Sequence, residues 1–322
     1  MGTDQKGSPW LVTGAAGFLG SHVVEQLLRR HVPVIGLDNL SSGKWEFLAP
    51  FASNQLFKFV CKDIRDEAGL VELFRRERPE VVIHLAALHF IPAAMRDPGL
   101  AVSLNVHGTQ TLLSACRDSK VSRFWFSSTA DVYKASDTAH HEQSSPIGPF
   151  NIYGVTKWMG EQLVHLESSV RPECHFVNGR LFNLYGPHET NPHILPEIIE
   201  QIRRGNHGGV LRLGNVTPKR DLVPVADAAR AVIEVMEKST SGVTTVNVGT
   251  GVSVSVEQVV ERISTLIGKP IRIETDPAKV RAVERAHLQA DVSALQSMIG
   301  WAPHGDLSRG LRELLVYEGV AL

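Results

Sequence analysis

A glycine-rich turn near the start of the chain constrains the fold more than any other feature. The run Trp10 to Thr13 is typical of a short buried strand, and it breaks into Gly14-Ala15-Ala16-Gly17-Phe18-Leu19-Gly20, which opens an apolar-periodic helix. In such a strand, turn and helix, glycines let the backbone approach a diphosphate, and the helix N-terminus holds its charge. The spacing is GxxGxxG rather than the general GxGxxG fingerprint, so neighbouring residues must support the assignment.

The next predicted strand provides that support. Residues 32–37 are apolar, and the strand ends at Asp38 and Asn39. An acid there would hydrogen-bond the 2′-hydroxyl of an adenosine ribose, which favours NAD over NADP. The alternative is that Asp38 only caps the strand.

Strands and helices continue to alternate along the chain. A third strand precedes Asp63, and a fourth, at 81–87, reads as a buried strand of the kind that parallel sheets contain. The alternation predicts an α/β fold with a doubly wound, Rossmann-type parallel sheet. Ligands of such sheets bind beyond the carboxyl ends of the strands, where the Gly14 turn, Asp38, Asp63 and Ala86 all fall.

The composition of the 322 residues is that of a globular protein. Hydrophobic residues make up 43% and charged residues 21%, with a formal net charge of -1, which argues against disorder and against a nucleic-acid-binding surface. The three cysteines are far apart and lack CxxC spacing, so neither a disulfide framework nor a zinc site is expected. No signal peptide or membrane-length apolar stretch is evident, so we expect a cytoplasmic protein with no membrane partner.

Tyr153 and Lys157 form a candidate catalytic pair. Residues four apart on a helix point the same way, so a phenol and an ammonium can face one ligand. A phenol titrates near pH ~10, and work as a base at neutral pH needs about 3 units less, which a nearby cation can supply. An isolated pair of this kind is more often a surface accident, so it needs support from the rest of the chain.

Several ordered motifs together resemble the extended short-chain dehydrogenases/reductases, and within them the nucleotide-sugar epimerases and dehydratases. The resemblance runs from about residue 10 to residue 318. It is carried by Thr13 to Gly20, Asp38-Asn39, Asp63-Ile64, His84 to Ala87, Asn105 to Thr109, Tyr153 with Lys157, Arg180 to Pro187, and Arg220-Asp221.

The resemblance implies which residues hold the cofactor, NAD. The diphosphate, ribose, adenine and nicotinamide positions of the family match Gly14, Gly17, Phe18, Leu19, Gly20, Asp38, Asn39, Ser42, Gly43, Asp63, Ile64, Leu85, Ala86, Ala87, His89, Asn105, Ser127, Tyr153, Lys157 and Phe182. The family mechanism needs no metal, and His188 with His193 lacks an evident third ligand.

The resemblance also implies a catalytic set of Thr129, Tyr153 and Lys157. Tyr153 would take a proton from a sugar hydroxyl, Lys157 would bind the nicotinamide ribose and lower the pKa of the tyrosine, and Thr129 would relay the proton. The substrate, a nucleoside diphosphate sugar, would contact Thr129, Asn183, His193, Ile194, Leu211, Arg212, Leu213, Arg220 and Arg281. Arg281 has the alternative of being a plain surface arginine.

Two residues after Thr129 bear on the reaction. Dehydratases of this branch usually carry Asp then Glu there, whereas Ala130 transfers no proton, which favours a UDP-sugar 4-epimerase. Asp131 stands where dehydratases and decarboxylases often have Glu, although it could simply cap a turn. A 4,6-dehydratase, a UDP-glucuronate decarboxylase and, more remotely, a non-catalytic NAD-binding regulatory protein therefore stay open.

Substrate, domains and assembly follow from the resemblance only in outline. UDP-glucose/galactose, their N-acetyl forms and UDP-glucuronate/galacturonate are all open. We expect residues 1–181, with about 223–250 returning, to form the NAD-binding domain, and 182–222 with 251–322 to form a smaller α/β domain for the nucleotide sugar. A homodimer would pair through helices at about 98–119 and 153–167.

Overall fold

The structure, a computed structural model, describes residues 7–117, 119, 121–205, 209–239, 242–280 and 285–322. In chain order its elements are β1 (Trp10–Thr13), α1 (Phe18–Arg29), β2 (Val34–Asp38), β3 (Phe57–Cys61), α2 (Glu67–Glu77), β4 (Val81–His84), α3 (Ile91–Arg96), α4 (Pro98–Val102), α5 (Gly108–Arg117), β5 (Arg123–Thr129), α6 (Ile152–Val170), β6 (His175–Leu181), β7 (Asn183–Tyr185), α7 (Ile194–Arg203), β8 (Val210–Leu213), β9 (Lys219–Pro224), α8 (Val225–Lys238), β10 (Val243–Val248), β11 (Ser253–Ser255), α9 (Val256–Ile267), β12 (Arg272–Thr275), β13 (His287–Leu288), α10 (Ser293–Ile299) and α11 (Leu307–Tyr317).

Seven parallel strands form the main sheet, in the order β10-β6-β5-β4-β1-β2-β3. The chain winds outward from β1 in both directions, so the strand order switches between β1 and β4, where doubly wound sheets bind ligands. Residues of β1, β2 and β4 are buried along their whole length, as expected for strands covered on both faces. The prediction of a doubly wound parallel sheet is confirmed.

Hydrogen bonds fix the register of β1 and β4 at their carboxyl ends. Thr13 pairs with His84 across the ladder, and the Thr13 hydroxyl lies 2.8 Å from His84 Nδ1 and accepts from the Ala86 N–H at 3.2 Å. Gly14 follows in the left-handed region, with φ +68°, and a Cβ there would lie 2.8 Å from Ala86 N. The first turn therefore requires glycine for both its conformation and its close approach to β4.

A second, smaller hydrophobic core lies beyond the carboxyl edge of the main sheet. Apolar residues of α7, β8, α9 and α11 pack together there, and β9 pairs with β7, β11 and β13 beside them. Helix α10 belongs to the other side, since Leu295 and Ile299 pack in the core of the main sheet with α8 and β10.

The helix predicted over 98–119 is interrupted. The chain forms α4, one π-helical turn at Ser103–His107, and then α5. Within the turn, the Thr109 hydroxyl donates to the Asn105 carbonyl at 2.6 Å and competes with the regular backbone ladder. Asn105, in this turn, is buried.

Candidate active site

A cavity of about 480 Å³ opens at the carboxyl edge of the main sheet and extends toward the second core. Most residues predicted for the site line it, namely Gly14, Gly17, Phe18, Leu19, Gly20, Asp38, Asn39, Ser42, Gly43, Ile64, Leu85, Ala86, Ala87, His89, Ser127, Thr129, Tyr153, Lys157, Phe182, Asn183, His193, Ile194 and Arg220. Residues far apart in the sequence thus meet in one place.

The glycine turn fits a diphosphate. Helix α1 begins after Gly17, with no side-chain cap and no acidic residue in its first turn, so its N-terminal N–H groups are suited to an anion. A Cβ at Gly20 would lie 2.0 Å from the Gly14 carbonyl oxygen, so the turn closes only around glycine. Backbone, rather than side chains, forms this part of the cavity.

Asp38 fits the role of a ribose acceptor. Its carboxylate accepts from the Ala16 N–H at 3.0 Å and from the Leu40 N–H at 2.7 Å, which fixes its orientation at the end of β2. Burial raises the pKa of Asp38, and these two backbone donors oppose that shift. Each oxygen keeps a lone pair for a further donor, as a ribose hydroxyl requires.

Two predicted cofactor residues, Asp63 and Asn105, do not line the cavity. Asp63 binds Arg65 and accepts from Asn39 Nδ2 at 2.9 Å, and its hydrogen bonds to Arg65 lower its pKa to about 2. Asn105 accepts from the Leu88 N–H at 2.7 Å and donates to Thr156 Oγ1 at 3.0 Å. Both side chains hold the loops around the cavity, and their contact with the cofactor stays a prediction.

The three predicted catalytic residues face the cavity from two elements. Thr129 ends β5, while Tyr153 and Lys157 lie on the first turns of α6. Asn151 starts that helix, because its buried side chain accepts from the Gly154 N–H at 2.8 Å. A Cβ at Gly154 would lie 2.7 Å from the Asp131 carbonyl oxygen, so α6 is pressed against the loop that follows Thr129.

The electrostatics of the pair differ from expectation. The pKa of Tyr153 lies above its ordinary value, chiefly because of burial and further because of the Asp131 carboxylate, while a hydrogen bond with Thr129 opposes the rise. Burial lowers the pKa of Lys157 to about 7, and its Nζ lies 5.0 Å from the centre of the Phe126 ring. Burial disfavours the charged forms of both groups, and the expected effect of Lys157 on the pKa of Tyr153 stays a prediction.

A buried ion pair behind the catalytic helix was not predicted. Glu161, one turn after Lys157, binds Arg180 of β6 through two hydrogen bonds of 2.9 and 2.8 Å. The Ser128 hydroxyl also donates to Glu161. The pair joins α6 to β6 and to the residue before Thr129, and its only sequence signal is an acid on the buried face of a helix.

Arg285 is a second residue that the sequence analysis missed. Its guanidinium donates to the carbonyls of Ala130 at 3.3 Å, Asp131 at 3.2 Å and Tyr133 at 2.5 Å. Its Nε lies 3.9 Å from the Asp131 carboxylate, and its plane covers the Phe150 ring at 4.6 Å. Arg285 therefore fixes the loop after Thr129 and places a cation beside Asp131.

The side chains of the predicted substrate strand do not line the cavity. Leu211 and Leu213 are buried in the second core, and Arg212 lies 3.7 Å from Glu274 rather than along the cavity. The turn after this strand lines the cavity instead, through Gly214, Asn215 and Pro218. Strand alternation explains the orientation of these side chains, since both neighbours of Arg212 face the core, and the substrate role of this strand stays a prediction. Arg281 lies outside the described residues.

Neither metal binding nor membrane insertion is indicated in the described part of the chain. No group of three or more His, Cys, Asp or Glu residues there is arranged to hold a metal ion. His188 lies 2.9 Å from Ser21 Oγ and stacks on Phe47 at 4.1 Å, away from His193. Among the same residues no helix has the length and apolar character to cross a membrane.

Comparison with known proteins gives one consistent result. The model of the NAD dependent epimerase/dehydratase family matches residues 10–249. A UDP-glucose 4-epimerase from Mycolicibacterium smegmatis is 31% identical over 313 residues, which cover 95% of this chain and 97% of the relative.

Solved structures agree. A UDP-glucose 4-epimerase from Thermotoga maritima, in complex with UDP-glucose, superposes with a TM-score of 0.86 at 29% identity and covers 96% of this chain and 98% of its own. A UDP-glucuronic acid 4-epimerase from Bacillus cereus, with UDP-glucuronic acid and NAD, gives 0.87 at 28%, covering 97% and 99%. This chain belongs to the NAD dependent epimerase/dehydratase family.

Proposed function

We propose that the protein is an NAD-dependent UDP-sugar 4-epimerase, an isomerase that oxidises C4 of the sugar and reduces the resulting ketone from the opposite face. The observation that carries the proposal is the convergence of Thr129, Tyr153 and Lys157 on the same cavity as the Gly14 turn and Asp38. The neighbours that bind NAD and UDP-sugars share this fold over nearly their whole length.

NAD would supply a hydride acceptor and donor beside the sugar. The α1 N-terminus would hold its diphosphate and Asp38 its adenosine ribose. Ala86, Ser127 and Phe182 line the cavity further along the sheet edge, where the small side chains of the first two leave room for the nicotinamide half.

Tyr153 is the group that exchanges a proton with the C4 hydroxyl. Its raised pKa means that the resting phenol is protonated, so Thr129 and Lys157 must favour the phenolate when the reaction needs a base. Thr129 already hydrogen-bonds the phenol, and the Lys157 Nζ lies 5.9 Å from the centre of its ring. Both groups are therefore placed to shift the proton.

Epimerisation is favoured over elimination by the loop after Thr129. Ala130 is buried and carries no titratable group, so the loop lacks the paired acids of a dehydratase. The remaining acid, Asp131, lies beside the Arg285 guanidinium, which stabilises its ionised form.

The reaction is tested with purified protein and a panel of UDP- and dTDP-sugars followed by NMR. We expect a C4 epimer of unchanged mass from at least one UDP-sugar. Loss of water or carbon dioxide would identify a dehydratase or decarboxylase, and no conversion of any sugar would leave a non-catalytic NAD-binding protein.

Tyr153→Phe tests the assignment of the base. Loss of the phenol proton should lower kcat by at least about 100-fold, because general acid–base catalysis contributes about 10²–10⁴-fold. NAD content, measured by absorbance after denaturation, should be retained. Tyr317→Phe, on an exposed position of α11, is the matched control. Wild-type turnover in Tyr153→Phe would refute the role of Tyr153.

We also propose a two-domain organisation, in which residues 1–181 and about 223–250 hold NAD and residues 182–222 and 251–322 hold the nucleotide sugar. Helix α10, although it lies in the last of these ranges, packs on α8 and therefore goes with the first domain.

A homodimer is supported by Met159, Leu166 and Val170, which leave an exposed apolar strip on α6. Light scattering after size-exclusion chromatography would measure the number of subunits.

The free thiols of Cys61, Cys116 and Cys174 support a cytoplasmic location.

A further inference from the structure

An acid–imidazole cluster, formed by His89, Glu189, Asn191 and His193, lies in the wall of the cavity. The Glu189 carboxylate accepts from the Asn191 N–H at 3.0 Å and lies 3.3 Å from His193 Nδ1. Asn191 Nδ2 lies 2.8 Å from His89 Nε2. Only 6% of the Glu189 side chain is exposed, so its carboxylate is stabilised by hydrogen bonds within the protein rather than by water.

The cluster lies on the catalytic side of the cavity. His89 follows the β4 end that the Gly14 turn contacts, and three of the four cluster residues line the same space as Tyr153 and Asn183. The charge of Lys157 acts on His89 and helps to lower its pKa, after burial as the main cause. His89 is therefore close enough to both Glu189 and Lys157 for their charges to act on it.

The cluster offers no net positive charge to a ligand. Glu189 has a lowered pKa and is ionised at neutral pH, whereas the pKa of His89 is lowered and its imidazole is neutral there. The negative charge of Glu189 offsets any positive charge that its single partner imidazole can carry, so the cluster does not attract a second carboxylate.

Two of the other lysines around the cavity already have acidic partners. Lys279 lies 2.5 Å from Glu197, and Lys62 lies 2.5 Å from Asp66. Asp131 is a second acid in the lining, and the Arg285 guanidinium lies 3.9 Å from its carboxylate. The described partners of Glu189 are Asn191 and His193 rather than a lysine or an arginine, so its carboxylate gives this wall an acidic character.

We infer that Glu189, held by Asn191 and His193 in the cavity wall, selects a UDP-hexose with an uncharged C6 group against a UDP-hexuronate. The inference rests on the proposed function and narrows its substrate class. A carboxylate accepts about four hydrogen bonds, and Glu189 uses only part of that capacity, so a sugar hydroxyl can donate to it. The C6 carboxylate of a uronate presents like charge and has no proton to donate at that position, and such a mismatch is costly in a buried site.

The first test uses the wild-type protein. kcat/KM for the UDP-glucose/UDP-galactose pair should exceed that for the UDP-glucuronate/UDP-galacturonate pair by about 100-fold or more, equivalent to about 2.7 kcal/mol at 1.36 kcal/mol per tenfold. Equal use of the two pairs, or preference for the uronates, overturns the inference while leaving the 4-epimerase assignment intact.

The second test is Glu189→Gln, which keeps the shape and removes the charge. The preference for the neutral pair should shrink by about 10-fold or more, because the repulsion is removed while the uronate gains a donor. Glu200→Gln, an acid on the solvent side of α7 that pairs with Arg204 at 2.7 Å, is the matched control and should leave the preference unchanged. An unchanged preference in Glu189→Gln overturns the inference.

Binding separates this inference from the proposed function. Calorimetric Kd values for UDP-glucose and UDP-glucuronate need no turnover, and UDP-glucose should bind at least about 10-fold more tightly to the wild type. If no sugar is converted but this difference is found, the epimerase assignment fails and the selectivity stands. Should Glu189→Gln prove unfolded by circular dichroism, the wild-type ratio and Kd values decide alone.

Discussion

Replacement of Glu161 by alanine is expected to destabilise the protein strongly, although Glu161 lies outside the cavity. The Glu161 side chain is fully buried and that of Arg180 is 5% exposed. The variant leaves a guanidinium in the interior without its carboxylate, and it also removes the acceptor of Ser128. The free energy of unfolding should therefore fall by much more than for a surface ion pair.

The structure gives the size of the effect. Breaking a buried ion pair by removing one partner costs about 3–5 kcal/mol. The orphaned hydroxyl of Ser128 adds about 1 kcal/mol. Arg180 keeps a 3.3 Å hydrogen bond to the Glu142 carbonyl and a 4.7 Å contact with the Tyr133 ring, which offset part of the loss. We expect a net loss of about 4 kcal/mol.

The assay is urea unfolding followed by circular dichroism, with saturating NAD in every sample. The double variant Glu161→Leu with Arg180→Met should be about 2–3 kcal/mol more stable than Glu161→Ala, because no unpaired charge remains. Glu313→Ala is the control, since it breaks an exposed pair with Arg309 and should cost less than about 0.5 kcal/mol.

Two results would refute this reasoning. A loss below about 1 kcal/mol in Glu161→Ala would mean that water reaches Arg180 and solvates it. A double variant no more stable than Glu161→Ala would mean that the pair acts through packing volume rather than through charge.

Three further predictions concern the cofactor site, acid stability and the loop after Thr129. Asp38→Ala removes an acceptor at the ribose position and should weaken NAD binding by about 10- to 100-fold in a calorimetric titration, with no change refuting the ribose role. Burial lowers the pKa of His84 to about 3 and of His140 to about 4, so their contribution to stability is present above pH 6.5 and falls by about 1.4 kcal/mol per pH unit for each below it. Urea unfolding at pH 7 and pH 5 measures this fall, and equal stability at both would contradict it. Arg285→Met frees three carbonyls around Ala130 and should lower kcat by about 10- to 100-fold through misplacement of Thr129, while Kd for NAD is unchanged; an unaltered kcat in steady-state assays would exclude this positioning role.

The sequence predicted the main sheet, because local patterns determine it. The apolar strands, the Gly14 turn and Asp38 each have a physical requirement that appears within a few residues. The same reasoning did not anticipate that the polar groups of Asp63 and Asn105 hydrogen-bond Arg65, Leu88 and Thr156. A sequence does not show whether a polar group faces a ligand or the protein.

The substrate side was less predictable, because it depends on contacts between distant segments. Arg285 reaches the loop after Thr129 across more than 150 positions, and no local pattern identifies it. Likewise, Glu189 follows a turn-rich stretch, and its neighbour His89 lies 100 positions earlier. The raised pKa of Tyr153 also escapes prediction, because it depends on burial rather than on the spacing to Lys157.

The order in which the chain builds the main sheet has a consequence for biosynthesis. Strand β10 pairs with β6 at the edge of the sheet, yet the chain between them supplies β7, α7, β8 and β9 of the second core. During translation, the edge of β6 is therefore exposed until residue 248 has left the ribosome, and α10 covers β10 later still. Long-range pairing of this kind slows folding and leaves an unpaired strand edge open to aggregation. The nascent chain therefore carries an unpaired β6 edge while the first elements of the second core, β7 to β9, and helix α8 are being synthesised.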